Sequence, residues 1–381
     1  MALSHLLWLL CGTLLPSFLV CWSSVWLVRR WAVQWQLVDR PGHRKVHTTP
    51  TPMGGGLAIW LGVITCFAAG QGVLWLSGLD GSFGHWVRSC VPEFARPYLD
   101  GLRYQSGQLW MLLGGGTVLM VVGLMDDRRG LGWRVRLGVQ LLVAIVCVAW
   151  QGWRLTAFIQ LPWLTGALSV LWIVALINSF NMLDNMDGLS CGVAAIAASM
   201  LAAVLLLTFD PGTRQPQIFV AGFLLVLVGS MLGFLWHNRP PARIFMGDAG
   251  SYFVGFCIAA ATLLATYTEY RGVRQHAVLA PLCVMAVPLY DMITVLWIRI
   301  REGRSPFEGD KSHFSHRLVE LGLTKGQAVL TIYLTTGTCG LGALLLNRVD
   351  LFGAAVVVLM IVCILCLIAI LESTARRKLK S

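Results

Sequence analysis

Apolar residues run along this chain in blocks of about twenty, the length of α-helix that crosses a bilayer, and short polar segments rich in Arg, Asp, Asn and Gly separate them. The blocks predict helices near 6–28, 54–76, 108–125, 135–151, 161–178, 188–208, 217–236, 250–268, 276–297, 327–346 and 350–371. The fold expected is an all-α polytopic membrane protein of about eleven transmembrane helices, forming a single domain over residues 1–381. The first block, Leu6–Val28, is longer than a signal-peptide core, lacks a small-x-small cleavage site and is followed by Arg29 and Arg30, so it is expected to remain as a span. No internal repeat of the kind found in transporters with inverted halves is visible.

Composition agrees: 57% of the residues are hydrophobic, 12% are charged and the mean hydropathy is +0.72. The net charge of +11 raises the question of nucleic acid, but the basic residues flank spans instead of forming an aromatic-interleaved patch, so no nucleic-acid partner is expected. With the N-terminus outside and the C-terminus cytoplasmic, 21 of the 29 Lys and Arg fall on the cytoplasmic side, as the positive-inside bias requires. Asp126, Asp127, Asp184, Asp187 and Asp248 then come out on the same face, although no acid entered the count. The eleven cysteines lie almost all within apolar blocks, including the Cys363-x-x-Cys366 pair, and read as core thiols.

The most informative polar segment is Asn178-Ser179-Phe180-Asn181-Met182-Leu183-Asp184-Asn185-Met186-Asp187-Gly188. Asn178, Asn181, Asp184 and Asp187 recur every third residue, which on a helical turn makes one strip of amides and carboxylates. Such a strip suits a cation, a phosphate held through a cation, or a nucleobase edge; a helix cap would use only one or two of these groups. Asp126 and Asp127 end another apolar block, with Arg128 and Arg129 as neutralising partners in the alternative, structural reading. Asp248, flanked by Gly247 and Gly250 in the segment His237–Ser251, sits on a tight turn where a carboxylate stays accessible to metal and phosphate, unless it is a plain cap. Arg44, Lys45 and His47 lead into Gly54-Gly55-Gly56, a pairing suited to phosphate at a helix start, or simply to topology. Lys311, His313, His316 and Arg317 form a cationic cluster better matched to phosphate than to zinc. Asp291 lies inside a span and is a functional candidate by default, with no role readable from the pattern. Hard oxygen donors without soft ones imply Mg²⁺ (or Mn²⁺), and cations around them imply a polyanionic substrate.

Gly123-Leu-Met-Asp-Asp127, the segment 178–189, Phe245-Met-Gly-Asp-Ala-Gly-Ser251 and Ser305-Pro-Phe through His316 together resemble the polyprenyl-phosphate N-acetylhexosamine-1-phosphate transferase family, in matching order from about Val38 to Gln327. The resemblance implies Mg²⁺-dependent transfer of a sugar 1-phosphate from a UDP-sugar to a polyprenyl phosphate at the inner face of the bacterial cytoplasmic membrane, with release of UMP. The sugar implied is GlcNAc, and the product a lipid-linked cell-envelope glycan such as a lipopolysaccharide or cell-wall precursor; UDP-MurNAc-pentapeptide is the alternative donor. The resemblance makes Asp126, Asp127, His313 and His316 catalytic, and Asp248 the leading metal ligand with Asn181 beside it. It makes Arg44, Lys45, His47, Asn181, Asp184, Asp187, Asn238 and Arg317 substrate-binding; a homodimer is among the states it allows. Two positions depart from the family pattern: Ser315 stands where a third histidine is common, and Asn185 where Gly is usual. The rival class, an ion-coupled transporter, predicts acids dispersed through the spans and a two-fold repeat, whereas these acids cluster at one face.

Overall fold

The computed structural model describes residues 3–39, 50–93, 95–155, 161–208, 216–265, 275–310 and 312–380, with side chains to 373. Arg44, Lys45, His47 and Lys311 therefore lie outside the described residues. The helices are, in order, α1 (Leu3–Trp31), α2 (Gly55–Leu76), α3 (Ser82–Cys90), α4 (Leu99–Arg129), α5 (Trp133–Gln151), α6 (Pro162–Leu183) and α7 (Leu189–Leu207). They continue as α8 (Ile218–Asn238), α9 (Gly247–Leu264), α10 (Ala280–Val284), α11 (Ala286–Arg301), α12 (Phe314–Glu320), α13 (Lys325–Leu346) and α14 (Leu351–Lys380). Two short strands, β1 (Val38–Asp39) and β2 (Thr51–Pro52), pair antiparallel before α2. Ten of the helical segments are long and apolar enough to span, or eleven if the bent pair α10–α11 is one span.

That bend, 63°, is one place where the block pattern was too coarse. Pro288 has no N–H to offer the carbonyl four residues back, Val284, where α10 ends. The segment 77–107, which carries no readable signal, contains α3 and the start of α4, nine residues ahead of the apolar block at 108. Between α1, α2, α4 and α8 at that end of the bundle is an apolar cavity of about 1230 Å³.

The centre of the bundle is α9. In its apolar stretch 83% of the residues are buried, against 11% for α1 and 17% for α14. It packs against α2, α4 and α6, and small residues let those backbones approach. A Cβ on Gly123 would sit 2.5 Å from the Asp248 carbonyl oxygen, so α4 meets the first turn of α9 at backbone contact. That approach brings Asp126 and Asp127, three and four residues further on, to the N-terminus of α9.

Candidate active site

Three successive backbone N–H groups open α9, and carboxylates from two other elements take all three. Asp127 accepts from Asp248 N (2.8 Å) and Ala249 N (3.2 Å), one on each oxygen, and Asp184 accepts from Gly247 N. Unsatisfied N–H groups and the helix dipole favour negative charge at this end. Gly247 has φ +71°, and a Cβ there would lie 2.5 Å from the Asp127 carboxylate, so both conformation and space call for glycine.

Beside this cap, the Asp126 and Asp248 carboxylates lie within hydrogen-bond reach of each other. Arg136, from the first turn of α5, binds Asp126 at 3.0 Å and approaches Asp248 at 3.8 Å. Asp126 also accepts from Leu131 N (2.5 Å) and from the Tyr252 hydroxyl (3.2 Å). Asn181 donates its amide to Asp248 (2.5 Å) and to Ser251 Oγ (3.0 Å). Asp184 stands just beyond α6; burial first, then the neighbouring Asp127 and Asp187 charges, push its carboxyl up to about 7, against the opposing Gly247 N–H.

The expected strip of four residues is not one surface. Because α6 continues to Leu183, Asn178 points to Gln140 of α5 (2.7 Å) while Asn181 points to α9. Asp184 and Asp187 have left the helix, and Asp187 accepts from Ala242 N at 3.0 Å. The neutralising partner of Asp126 is Arg136, not Arg128 or Arg129, which are exposed and make no ion pair among the described residues. Gly55 N and Gly56 N donate to the carbonyls of Phe245 (2.9 Å) and Met246 (3.0 Å), so these two glycine N–H groups at the start of α2 are already taken by protein and not open to phosphate.

A second group of site residues is organised by Asp291, which has no exposed surface. Its carboxylate meets His313 Nδ1 at 3.0 Å and accepts from Phe314 N at 2.5 Å, starting α12. With Nδ1 engaged by Asp291, Nε2 is the ring nitrogen that this contact leaves unused. His316 follows with its ring centroid 6.3 Å from that of His313. Ser315, fully buried, donates to Asn185 Oδ1 at 2.5 Å, tying α12 to the turn that holds Asp184 and Asp187. The two positions that depart from the family pattern therefore touch each other.

A family model described as glycosyl transferase family 4 matches residues 109–266, the stretch that carries Asp126 to Asp248. A probable undecaprenyl-phosphate N-acetylglucosaminyl 1-phosphate transferase of Bacillus subtilis is 30% identical over 362 residues, 93% of this chain and 89% of the relative. The chain belongs to the polyprenyl-phosphate N-acetylhexosamine-1-phosphate transferase family. It is a multi-pass membrane enzyme that transfers a sugar 1-phosphate to a polyprenyl phosphate. A decaprenyl-phosphate N-acetylglucosaminephosphotransferase of Mycobacterium tuberculosis is 33% identical over 349 residues (86% of this chain, 80% of the relative). An undecaprenyl-phosphate α-N-acetylglucosaminyl 1-phosphate transferase of Salmonella typhimurium is 29% identical over 331 (84% and 79%).

Two residues expected to bind substrate in this transferase are committed elsewhere. The Asn238 amide accepts from Gly188 N (2.9 Å) and donates to Ile244 O (2.8 Å), pinning two loops together from a buried position. Arg317 is 4% exposed and turned inward: it meets Glu372 of α14 at 3.2 Å, donates to Thr294 (2.8 Å) and lies over the Tyr290 ring. Arg136 and Tyr252 were absent from the sequence-based set, and Asp291 stood in it only as a candidate without a role. Arg136 follows Asp126 by ten residues, but it counts there as one of many topological charges, and only the return of α5 along α4 selects it.

Proposed function

We propose that this transferase moves GlcNAc 1-phosphate from UDP-GlcNAc to undecaprenyl phosphate at the cytoplasmic membrane face, releasing UMP and starting a lipid-linked cell-envelope glycan. The relatives' names support the sugar and the lipid class. The observation that carries the reading is the junction of α4, α5, α6 and α9, where five acidic and amide side chains meet one arginine.

The donor chemistry fits Mg²⁺: among the described residues the side chains gathered here offer hard oxygens, and Asp126 and Asp248 adjoin with Arg136 as their one shared cation. Among the described residues no group of three His, Cys, Asp or Glu forms a ready cage. That is in keeping with an ion that takes part of its coordination from substrate phosphates. Asp248 and Asp126 would hold it, with Asn181 steadying Asp248 by its amide nitrogen instead of ligating by oxygen. When bound, Mg²⁺ supplies charge neutralisation for the diphosphate.

The attacking group is an oxygen of the lipid phosphate, already anionic at neutral pH. It forms a bond to the β-phosphorus of the UDP-sugar as the bond from that phosphorus to the UMP oxygen breaks, and UMP leaves. Positioning and charge neutralisation carry such a step without a strong base. A direct displacement is favoured because the lipid phosphate is itself an anionic nucleophile, while Asp127 is engaged in capping α9 through both of its oxygens. With UDP-GlcNAc labelled in the β-phosphate, the label is expected in the lipid product and UMP as the uridine product. Label recovered in UDP overturns the reaction, and transfer from UDP-MurNAc-pentapeptide in preference to UDP-GlcNAc overturns the sugar.

A further inference from the structure

The ends of α1 and α8 and the loop after α8 collect positive charge that no acid among the described residues balances. Arg29, Arg239 and Arg243 all act electrostatically on one ring, His237, and Arg29 and Arg243 act on each other. None of the three makes an ion pair among the described residues. The segment 40–49 cannot neutralise them either, since it contains Arg40, Arg44 and Lys45 and no Asp or Glu.

Topological charge explains arginines that extend into water. It does not explain buried ones with unmade hydrogen bonds. Arg29 is half-buried and its Nε is shut away without a partner. His237 is 1% exposed, and neither ring nitrogen makes a hydrogen bond of good geometry, the Trp22 backbone being its loose neighbour. Leaving such groups unsatisfied is costly in a folded protein, and the crowding of like charge adds to that.

Around these groups stands an aromatic frame. The His237 ring centroid lies 6.0 Å from that of Trp22 and 5.5 Å from that of Trp26. The Arg29 guanidinium is 5.6 Å from the Trp26 ring and that of Arg239 is 4.6 Å from the Trp236 ring. Trp26 and Trp236 are 51% and 52% exposed, and exposed Leu19 and Leu232 continue away from the charges along the same two helices. α1 is the least buried span, so this face meets lipid. Guanidinium groups pair with phosphate oxygens in a fork geometry, and Trp side chains settle at headgroup level.

We propose that the seam between α1 and α8 is a binding site for the phosphate headgroup of an anionic membrane phospholipid, distinct from the carboxylate site. The headgroup sits among Arg29, Arg239 and Arg243, and its acyl chains run along the exposed leucines. The site braces the loop 239–246 from the membrane side, while Asp187 and Gly188 hold that loop's Ala242 and its neighbour Asn238 from the other.

The test uses the full chain, purified in detergent and stripped of lipid, with phosphatidylglycerol, phosphatidylcholine, inorganic phosphate and undecaprenyl phosphate as probes. Native mass spectrometry and the apparent Tm are the readouts. Phosphatidylglycerol is expected to bind and raise the Tm, and phosphatidylcholine to bind at least roughly tenfold more weakly. The double variant Arg239→Gln/Arg243→Gln, at two exposed positions, is expected to elute and melt as the parent without lipid yet to lose roughly tenfold or more in phosphatidylglycerol affinity. Arg239→Lys/Arg243→Lys should keep part of it. Equal binding of the two phospholipids, or undiminished binding by the Gln variant, overturns the site. Displacement of phosphatidylglycerol by millimolar inorganic phosphate, or one-for-one by undecaprenyl phosphate, overturns the choice of a phospholipid as occupant. None of these readouts depends on the sugar donor or on turnover.

Discussion

Asp126 is 7% exposed, and Arg136 is the cation that offsets its charge. Removing one partner of a buried pair leaves an uncompensated charge, at a cost of about 3–5 kcal/mol; Arg136 is partly solvated, so the lower end applies. Arg136→Gln is expected to lower the apparent Tm and to reduce kcat/KM by about a hundredfold or more, with Arg136→Lys recovering part of both because charge returns without the fork. Near-parent turnover in the Gln variant would remove Arg136 from the site. Asp184 yields a pH prediction. Its folded pKa, about 7, lies above the ordinary carboxyl value near 3.9, so the stabilisation it provides is complete below pH ~4 and is lost as pH rises to about 7. In the presence of chelator the parent should therefore lose apparent Tm from pH 5 to pH 8, and Asp184→Asn, neutral throughout, should lose less. Equal slopes in the two proteins would disprove the shift.

Three ties fix the short helix α12: Asp291 at its start, Asn185 at Ser315, and Thr294 with Glu372 at Arg317. A seven-residue helix has little stability of its own, so these contacts decide where His313 and His316 stand. Ser315→His alone places a larger side chain in a fully buried position against Asn185 and is expected to cost about 1–3 kcal/mol of stability along with activity. Adding Asn185→Gly, which removes the opposing amide, should recover much of both. The two changes should be strongly non-additive in a double-mutant cycle on Tm and on kcat/KM, since they share one contact. Additive losses would mean that the Asn185–Ser315 hydrogen bond positions nothing.

Across the whole molecule, the carboxylate site and α12 lie at the same end of the bundle, and the cavity of about 1230 Å³ at the other. The charge count predicts that the first end is cytoplasmic. In a background without the eleven native cysteines, Arg128→Cys and Glu308→Cys, both exposed, should resist an impermeant thiol reagent in intact cells and react after lysis. Asp80→Cys, at the opposite end, should react without lysis. The reverse pattern would invert the topology.

Membership of the spans was legible in the chain because hydrocarbon imposes a length and a composition on every crossing helix, and the eleven blocks are where the helices are. The acids of the site were legible too, since carboxylates at membrane helix ends need a reason to be there: Asp126, Asp127, Asp184 and Asp248 do converge, and Asn181 joins them. What the chain could not disclose is which partner each polar group takes, because pairing depends on helix rotation and on backbones brought close by glycines at 56, 123 and 250. Arg136 displaced Arg128 and Arg129 because α5 folds back along α4. Asn238 is held by loops and Arg317 by neighbouring helices because each is buried where protein groups reach it. Asp291 acquired a role only when α12 was laid against α11. The pattern of hydrophobic and polar positions determined the bundle and the end where its acids gather; only the packing of the bundle decided which side chains there face each other.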